Sequence, residues 1–233
     1  MEINKFLEQF VEGYLFCDIE NMIKIELKKP EVYGACGYQI IMATLSGMEL
    51  LGGLLDKNTF DLTRGNDYFA NYWSNYFCKY EPKYKIVGIE KYIRKLIRHG
   101  LAHVSLTKPG IFITKNNSSI HWKFYKEDRT LAIDVKEFYN DFKKSYYEIV
   151  RVNKKNEIIM QTRLNEMIDQ YQRESDEAFD KISQNNLPQF GKNIISAMYN
   201  ASTMHSTAFT QLTPSSGSPS NNENQNFLKK LSQ

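Results

Sequence analysis

The sequence predicts an all-α protein, a helical bundle that carries a small three-stranded antiparallel β insertion and ends in a disordered tail. Three observations lead to that class. Apolar residues recur at three- and four-residue steps through most of residues 1–184. A two-residue alternation takes over only between Pro109 and Val135, and beyond Asn185 the composition shifts to Asn, Ser, Gln and Thr.

In chain order, residues 2–29 predict one or two helices from Ile3, Phe6, Leu7, Phe10 and Tyr14, then Ile19, Ile23 and Leu27, ending before Pro30. Residues 32–56 predict a buried helix rich in glycine. Each helical glycine costs about 1 kcal/mol against alanine, so Gly47, Gly52 and Gly53 imply close approach by a neighbouring helix, for which the helix before residue 98 is the candidate. Residues 66–80 place Tyr68, Phe69, Tyr72, Trp73, Tyr76 and Phe77 at near-helical spacing, a stripe that reads as core more readily than as a base-stacking platform. Ile86, Val87, Ile89, Ile93, Leu96 and Ile97 then mark an amphipathic helix over Tyr84 to Ile97.

After the Pro109-Gly110 turn, the segments 111–114, 120–125 and 130–135 alternate and predict an antiparallel meander over about 111–135, with His121 a structural residue on its middle strand. A long helical pattern follows to about Gln184, broken near Val152 to Asn156, and its second part is a candidate protruding or dimerising helix. Residues 1–184 thus form the helical domain. Residues 185–233, with Pro214 and Pro219 in a Ser/Gly context, bury too little apolar surface to offset the entropy of ordering and are expected to be disordered.

Composition narrows the function classes. A net charge of +3 is too small to imply nucleic-acid binding by itself, yet Lys79, Lys83, Lys85, Lys91, Arg94, Lys95 and Arg98 concentrate positive charge in one stretch. Lys91, Arg94 and Lys95, with Arg98, can share a helix face, which would attract a phosphate backbone without reading its sequence; a solvated helix face is the commoner meaning of such a run. Cys17, Cys36 and Cys78 lack metal-ligand spacing and suit reduced core thiols of a cytoplasmic protein. The N-terminus lacks a secretory pattern, and the most apolar stretch, Ile40 to Leu55, contains Glu49 and falls short of the roughly 20 residues that span a bilayer. No Gly-rich phosphate loop, metal-binding helix motif or Ser/His/Asp arrangement is present, so neither a metal nor another cofactor is expected.

The chemistry concentrates in Arg98-His99-Gly100-Leu101-Ala102-His103. Histidine, with an unperturbed pKa near 6.5, suits proton transfer at neutral pH, and arginine offers a planar fork of donors to phosphate oxygens. Together they can activate a ribose 2′-hydroxyl, neutralise the phosphate and protonate a leaving 5′-oxygen without a metal. Taken as residues alone, the same pair also reads as a histidine complementing a helix C-terminus and a solvated arginine. Positions five apart on an ideal helix differ by about 140° in azimuth, so one straight helix does not bring both to one face. Glu49, the one acid of the apolar helix, is a candidate to accept a hydrogen bond from Arg98 or His103 and orient it; an unrelated structural role is the competing reading.

Arginine followed by a polar residue, with histidine five positions after the arginine, resembles the signature of the HEPN superfamily, small all-helical domains of which many are metal-independent endoribonucleases of toxin–antitoxin, abortive-infection and other antiviral defence systems. The resemblance covers roughly residues 1–185 and implies a HEPN-like bundle, Arg98 and His103 as the catalytic pair, His99 as the polar residue, and RNA as substrate. It also implies a homodimer whose cleft joins two copies of the motif, and an antitoxin or regulatory protein as partner; from the shortness of the apolar stretch, no membrane association is expected. Arg94 and His99 offer a second register, but Lys95 after the arginine fits the family less well. The tyrosine two positions after the histidine in HEPN toxins paired with nucleotidyltransferases is Ser105 here, so control by its adenylylation is not implied. A non-catalytic nucleotide- or RNA-binding module and a helical interaction protein are the alternatives to the ribonuclease.

Overall fold

The computed structural model describes residues 1–26, 36–98 and 108–184; His99 and His103, and the tail from residue 185, lie outside the described residues. The chain divides into two compact units, residues 1–175 and 176–233, and the described part of the second is residues 176–184, the end of the last helix. The fold is mainly helical with one small mixed sheet.

α1 (Ile3–Phe6) passes through a π-helical run, Leu7–Phe16, into α2 (Cys17–Lys24). Ile3, Leu7 and Val11 are buried at four-residue steps, so one stripe of this first arm faces the core. α3 (Gly37–Leu54) starts from Cys36 in the left-handed region (φ 63°) and buries Ile40, Ile41, Leu45, Met48, Leu51 and Leu54. The glycines do mark close approaches, but not to the motif helix: Gly47 faces Leu15 and Phe142, while Gly52 and Gly53 face α4 (Gly65–Tyr72) and the turn before it. A Cβ on Gly52 would stand 1.8 Å from the Tyr68 carbonyl oxygen, and one on Gly53 would meet the Phe60 and Tyr68 rings.

α4 continues through a π turn, Trp73–Phe77, into α5 (Cys78–Tyr80). Tyr68, Phe69, Tyr72, Trp73 and Phe77 are all buried, so the aromatic stripe is core. The motif helix is shorter than its periodicity suggests. Pro82–Tyr84 is a separate 3-10 turn capped by Glu81, and α6 (Ile89–Ile93) starts only after Gly88 reverses the chain at φ 77°. It then widens into a π turn, Arg94–Arg98.

The sheet corrects the expected meander. β1 (Ile111–Thr114), β2 (Lys123–Tyr125) and β3 (Thr130–Asp134) lie in the order β1-β3-β2. β1 runs parallel to β3, with Ile111 opposite Leu131, and β2 is antiparallel to it. Alternation marks a strand but not its partner. Here a 3-10 turn at Ser118–Ile120 and Trp122 at φ 61° carry the chain from one edge of β3 to the other, leaving β2 short and exposed. His121 therefore precedes an edge strand instead of sitting on a middle one.

β3 delivers Asp134 as the cap of α7 (Val135–Ser145), its Oδ1 accepting the Lys136 and Glu137 amides at 3.1 and 3.2 Å. A π turn, Tyr146–Arg151, and a break at Val152 and Asn153 lead to α8 (Lys154–Gln184), where the sequence predicts an interruption. Phe16 packs edge-on against Tyr139, Phe142 and Tyr146, while Trp73, Phe77, Tyr84, Trp122 and Phe138 form a second aromatic group. Cys78 is buried, but Cys17 is exposed, with its thiol donating to the Glu12 carbonyl, so the expectation of three core thiols fails there. Among the described residues, no helix is long and apolar enough to cross a membrane.

Candidate functional site

Arg98 is the described member of the motif pair, and its side chain lies against Glu49 of α3. Its Nη2 donates to Glu49 Oε1 at 3.0 Å, and Nη1 lies 2.5 Å from Oε2, a charge contact whose angle falls short of an aligned hydrogen bond. Both side chains are largely covered, at 27% and 20% exposure. The carboxylate is backed by Gly65, where a Cβ would come within 2.4 Å of Oε1; the first residue of α4 must be small for Glu49 to reach Arg98. Burial pushes the Glu49 carboxyl above its ordinary value, and the charges of Arg98 and Arg94 pull it back only in part.

Arg94, four residues earlier, is half-buried, and its Nε is covered without a hydrogen-bond partner among the described residues. Burial and the neighbouring Arg98 lower its pKa, while Glu49 and Asp67 oppose that shift. Arg94 lines an open groove of about 310 Å³ between α4 and the motif helix, together with Asn66, Asp67, Phe69, Ala70, Glu90, Lys91 and Lys95. The helix face predicted from Lys91, Arg94, Lys95 and Arg98 thus divides. The first three border the groove, and Arg98 turns to Glu49. Lys83 leaves the basic stretch altogether, since its ammonium donates to Asp141 at 2.7 Å.

His121 belongs to a separate, buried chain of hydrogen bonds. The Asp134 amide donates to its Nδ1 at 3.3 Å, which leaves the proton on Nε2 to donate to the Tyr84 hydroxyl at 2.8 Å; that hydroxyl donates to Asp141 Oδ2 at 2.7 Å. Burial, followed by the Lys83 charge, pushes the His121 pKa down to about 4. A neutral imidazole fixed at both nitrogens ties the sheet to α7 and is in no position to shuttle protons at neutral pH.

Asn66, Asp67 and Glu90 escaped the sequence reading. Their signal was present: Asn66 and Ala70, four apart, interrupt the aromatic stripe with a polar and a small residue on one face of α4. The groove and the Arg98–Glu49 pair share the motif helix, so the described part of the site offers cations, carboxylates and an amide around an apolar floor. Comparison of the chain with protein-family models, with curated proteins and with solved structures found no match in any of the three.

Proposed function

We propose that the protein is a HEPN-type, metal-independent endoribonuclease, cutting RNA by attack of a ribose 2′-hydroxyl on the adjacent phosphate to leave a cyclic phosphate and a 5′-hydroxyl. The observation that supports it most is the seating of Arg98 on Glu49. A guanidinium has more N–H donors than one carboxylate takes, so an arginine fixed in this way can present the remaining ones to a phosphate with its orientation already set. In this reading Arg98 clamps the scissile phosphate, His103 transfers protons and His99 assists. Lys91, Arg94 and Lys95 attract the strand. The active form is a homodimer with a composite cleft, working in the cytoplasm in a toxin or defence setting under an antitoxin or other regulator.

The test is incubation of a mixed RNA pool with wild type, Arg98→Ala and His103→Ala in excess chelator, with the chemistry of the new ends mapped. Cyclic phosphate ends from the wild type and none from either variant are expected; cutting by a folded His103→Ala protein would sink the assignment. A second reading, a non-catalytic binding module, draws support from the same ion pair, because a guanidinium engaged by Glu49 has fewer donors left for a transition state. RNA retained by the wild type but never cut is the outcome that favours it.

A further inference from the structure

We infer that the groove between α4 and the motif helix seats one unpaired nucleotide of an RNA strand, next to the nucleotide whose phosphate Arg98 would hold. The inference rests on the proposed function for its substrate, but its residues are separate from the proposed catalytic set.

Size, chemistry and place point the same way. About 310 Å³ lies at the small end of ligand sites, which run from roughly 300 to 1,000 Å³, and it admits a single nucleotide but not a duplex. A bare anion would be repelled by carboxylates in the lining. This groove sets Lys91, Arg94 and Lys95 beside two acids and an amide over the apolar floor of Phe69 and Ala70. Asp67 is held by Arg64 at 3.1 Å, whereas Asn66, Glu90, Lys91 and Lys95 make no side-chain hydrogen bond or ion pair among the described residues. Amide and carboxylate groups complement the donors on a base edge, cations complement its phosphate, and an apolar floor complements its face. Arg94 stands four residues before Arg98 in the same π turn, so the two guanidiniums are placed to serve neighbouring nucleotides of one strand. The Nε of Arg94 is covered and has no partner among the described residues, so the donors of this guanidinium that a ligand in the groove would meet are those at its exposed end.

The test measures binding of a fluorescent single-stranded hexaribonucleotide and of a blunt RNA duplex by anisotropy in chelator, for wild type, Ala70→Trp and Arg94→Gln, with melting temperatures as the control for folding. Ala70→Trp fills the floor and Arg94→Gln removes the phosphate donor; each is expected to weaken hexamer binding about tenfold. Duplex binding should be weaker than hexamer binding and insensitive to Ala70→Trp. If Ala70→Trp fails to fold, Asn66→Trp on the exposed rim blocks the same seat. Hexamer affinity unchanged by the seat variants but lost in Arg98→Ala would overturn the inference and leave the RNA reading standing. Loss of affinity in the seat variants, with no cutting by wild type in any RNA pool, would keep the seat and remove the nuclease. Free nucleoside monophosphate displacing the hexamer at equal concentration would show a free nucleotide as occupant and overturn the strand assignment. Absence of wild-type binding to either RNA would overturn both.

Discussion

Replacing Gly52 with alanine probes the contact that sets α3, and so Glu49, against α4. Two effects oppose each other. Alanine in a helix is favoured over glycine by about 1 kcal/mol, but the new Cβ would lie 1.8 Å from the Tyr68 carbonyl oxygen and 2.6 Å from its carbon. Both are backbone atoms, so no rotamer change relieves the clash, and the helices must part by roughly 1 Å or more. Overpacking costs about 1–3 kcal/mol, and a backbone clash sits at the upper end, giving a net loss of about 2 kcal/mol. For a chain of this size that lowers the melting temperature by about 4–8 °C. Gly53→Ala is the internal control: its Cβ would meet ring atoms of Phe60 and Tyr68 at 3.0 and 3.1 Å, which can yield slightly, so the helical gain offsets the crowding and stability stays within about 0.5 kcal/mol of wild type. Urea and thermal unfolding followed by circular dichroism measure both. A Gly52→Ala protein as stable as Gly53→Ala would refute the reasoning, since it would mean that α3 and α4 separate without cost.

Three further outcomes are expected. Because the His121 pKa is pushed down to about 4 while the unfolded chain titrates near 6.5, the unfolded state binds the extra proton between those values; stability is complete above that window and falls as pH drops through it, by about 3 kcal/mol from this residue over the whole window and about 2 kcal/mol of that by pH 4.5, and urea unfolding of His121→Gln from pH 7 to pH 4.5 should show a shallower loss. Asp134 is fully buried, caps α7 and also accepts from Thr114 and the Asn117 amide, so Asp134→Ala is expected to cost about 2 kcal/mol in the same unfolding assay, and a change below 0.5 kcal/mol would count against the cap. The raised Glu49 pKa means its charge is maintained at a cost above the ordinary carboxyl range; stability from this group is greatest below that range and falls as pH rises through it. Glu49→Gln should therefore stay within about 1 kcal/mol of wild type at neutral pH while cleavage falls about tenfold as Arg98 loses its orientation, and a loss of stability of about 3 kcal/mol would show the pair to be a structural strut instead.

The helices were legible because burial repeats along the chain: Ile3, Leu7 and Val11, or Tyr68, Tyr72 and the π turn after them, announce their face through spacing alone. Pairing was not. Nothing local in Ile111–Thr114 says that its neighbour is Leu131 in parallel register, and the reversals that route the chain there fall at Asn116, Trp122 and Arg129, residues without the conformational signature of glycine. At the site, Glu49 was legible as a lone acid among apolar neighbours, and Arg98 was one of two groups proposed for it. The groove was hidden because its walls come from two separate segments, residues 66–70 and 90–95, each of which reads as an ordinary helix face.

α8 also fastens the connection between α3 and α4. Glu166 Oε2 accepts the Phe60 amide at 2.7 Å, Gln170 bridges the Leu62 amide and the Phe60 carbonyl, and Arg163 donates to the Asn58 carbonyl. In time rather than space, these backbone groups belong to segments that leave the ribosome about a hundred residues before their partners. At some 5–20 residues per second, this connection stays without its α8 partners for about 5–20 seconds. Docking of that connection is thus a late event in synthesis, well after the two helices it joins have been made.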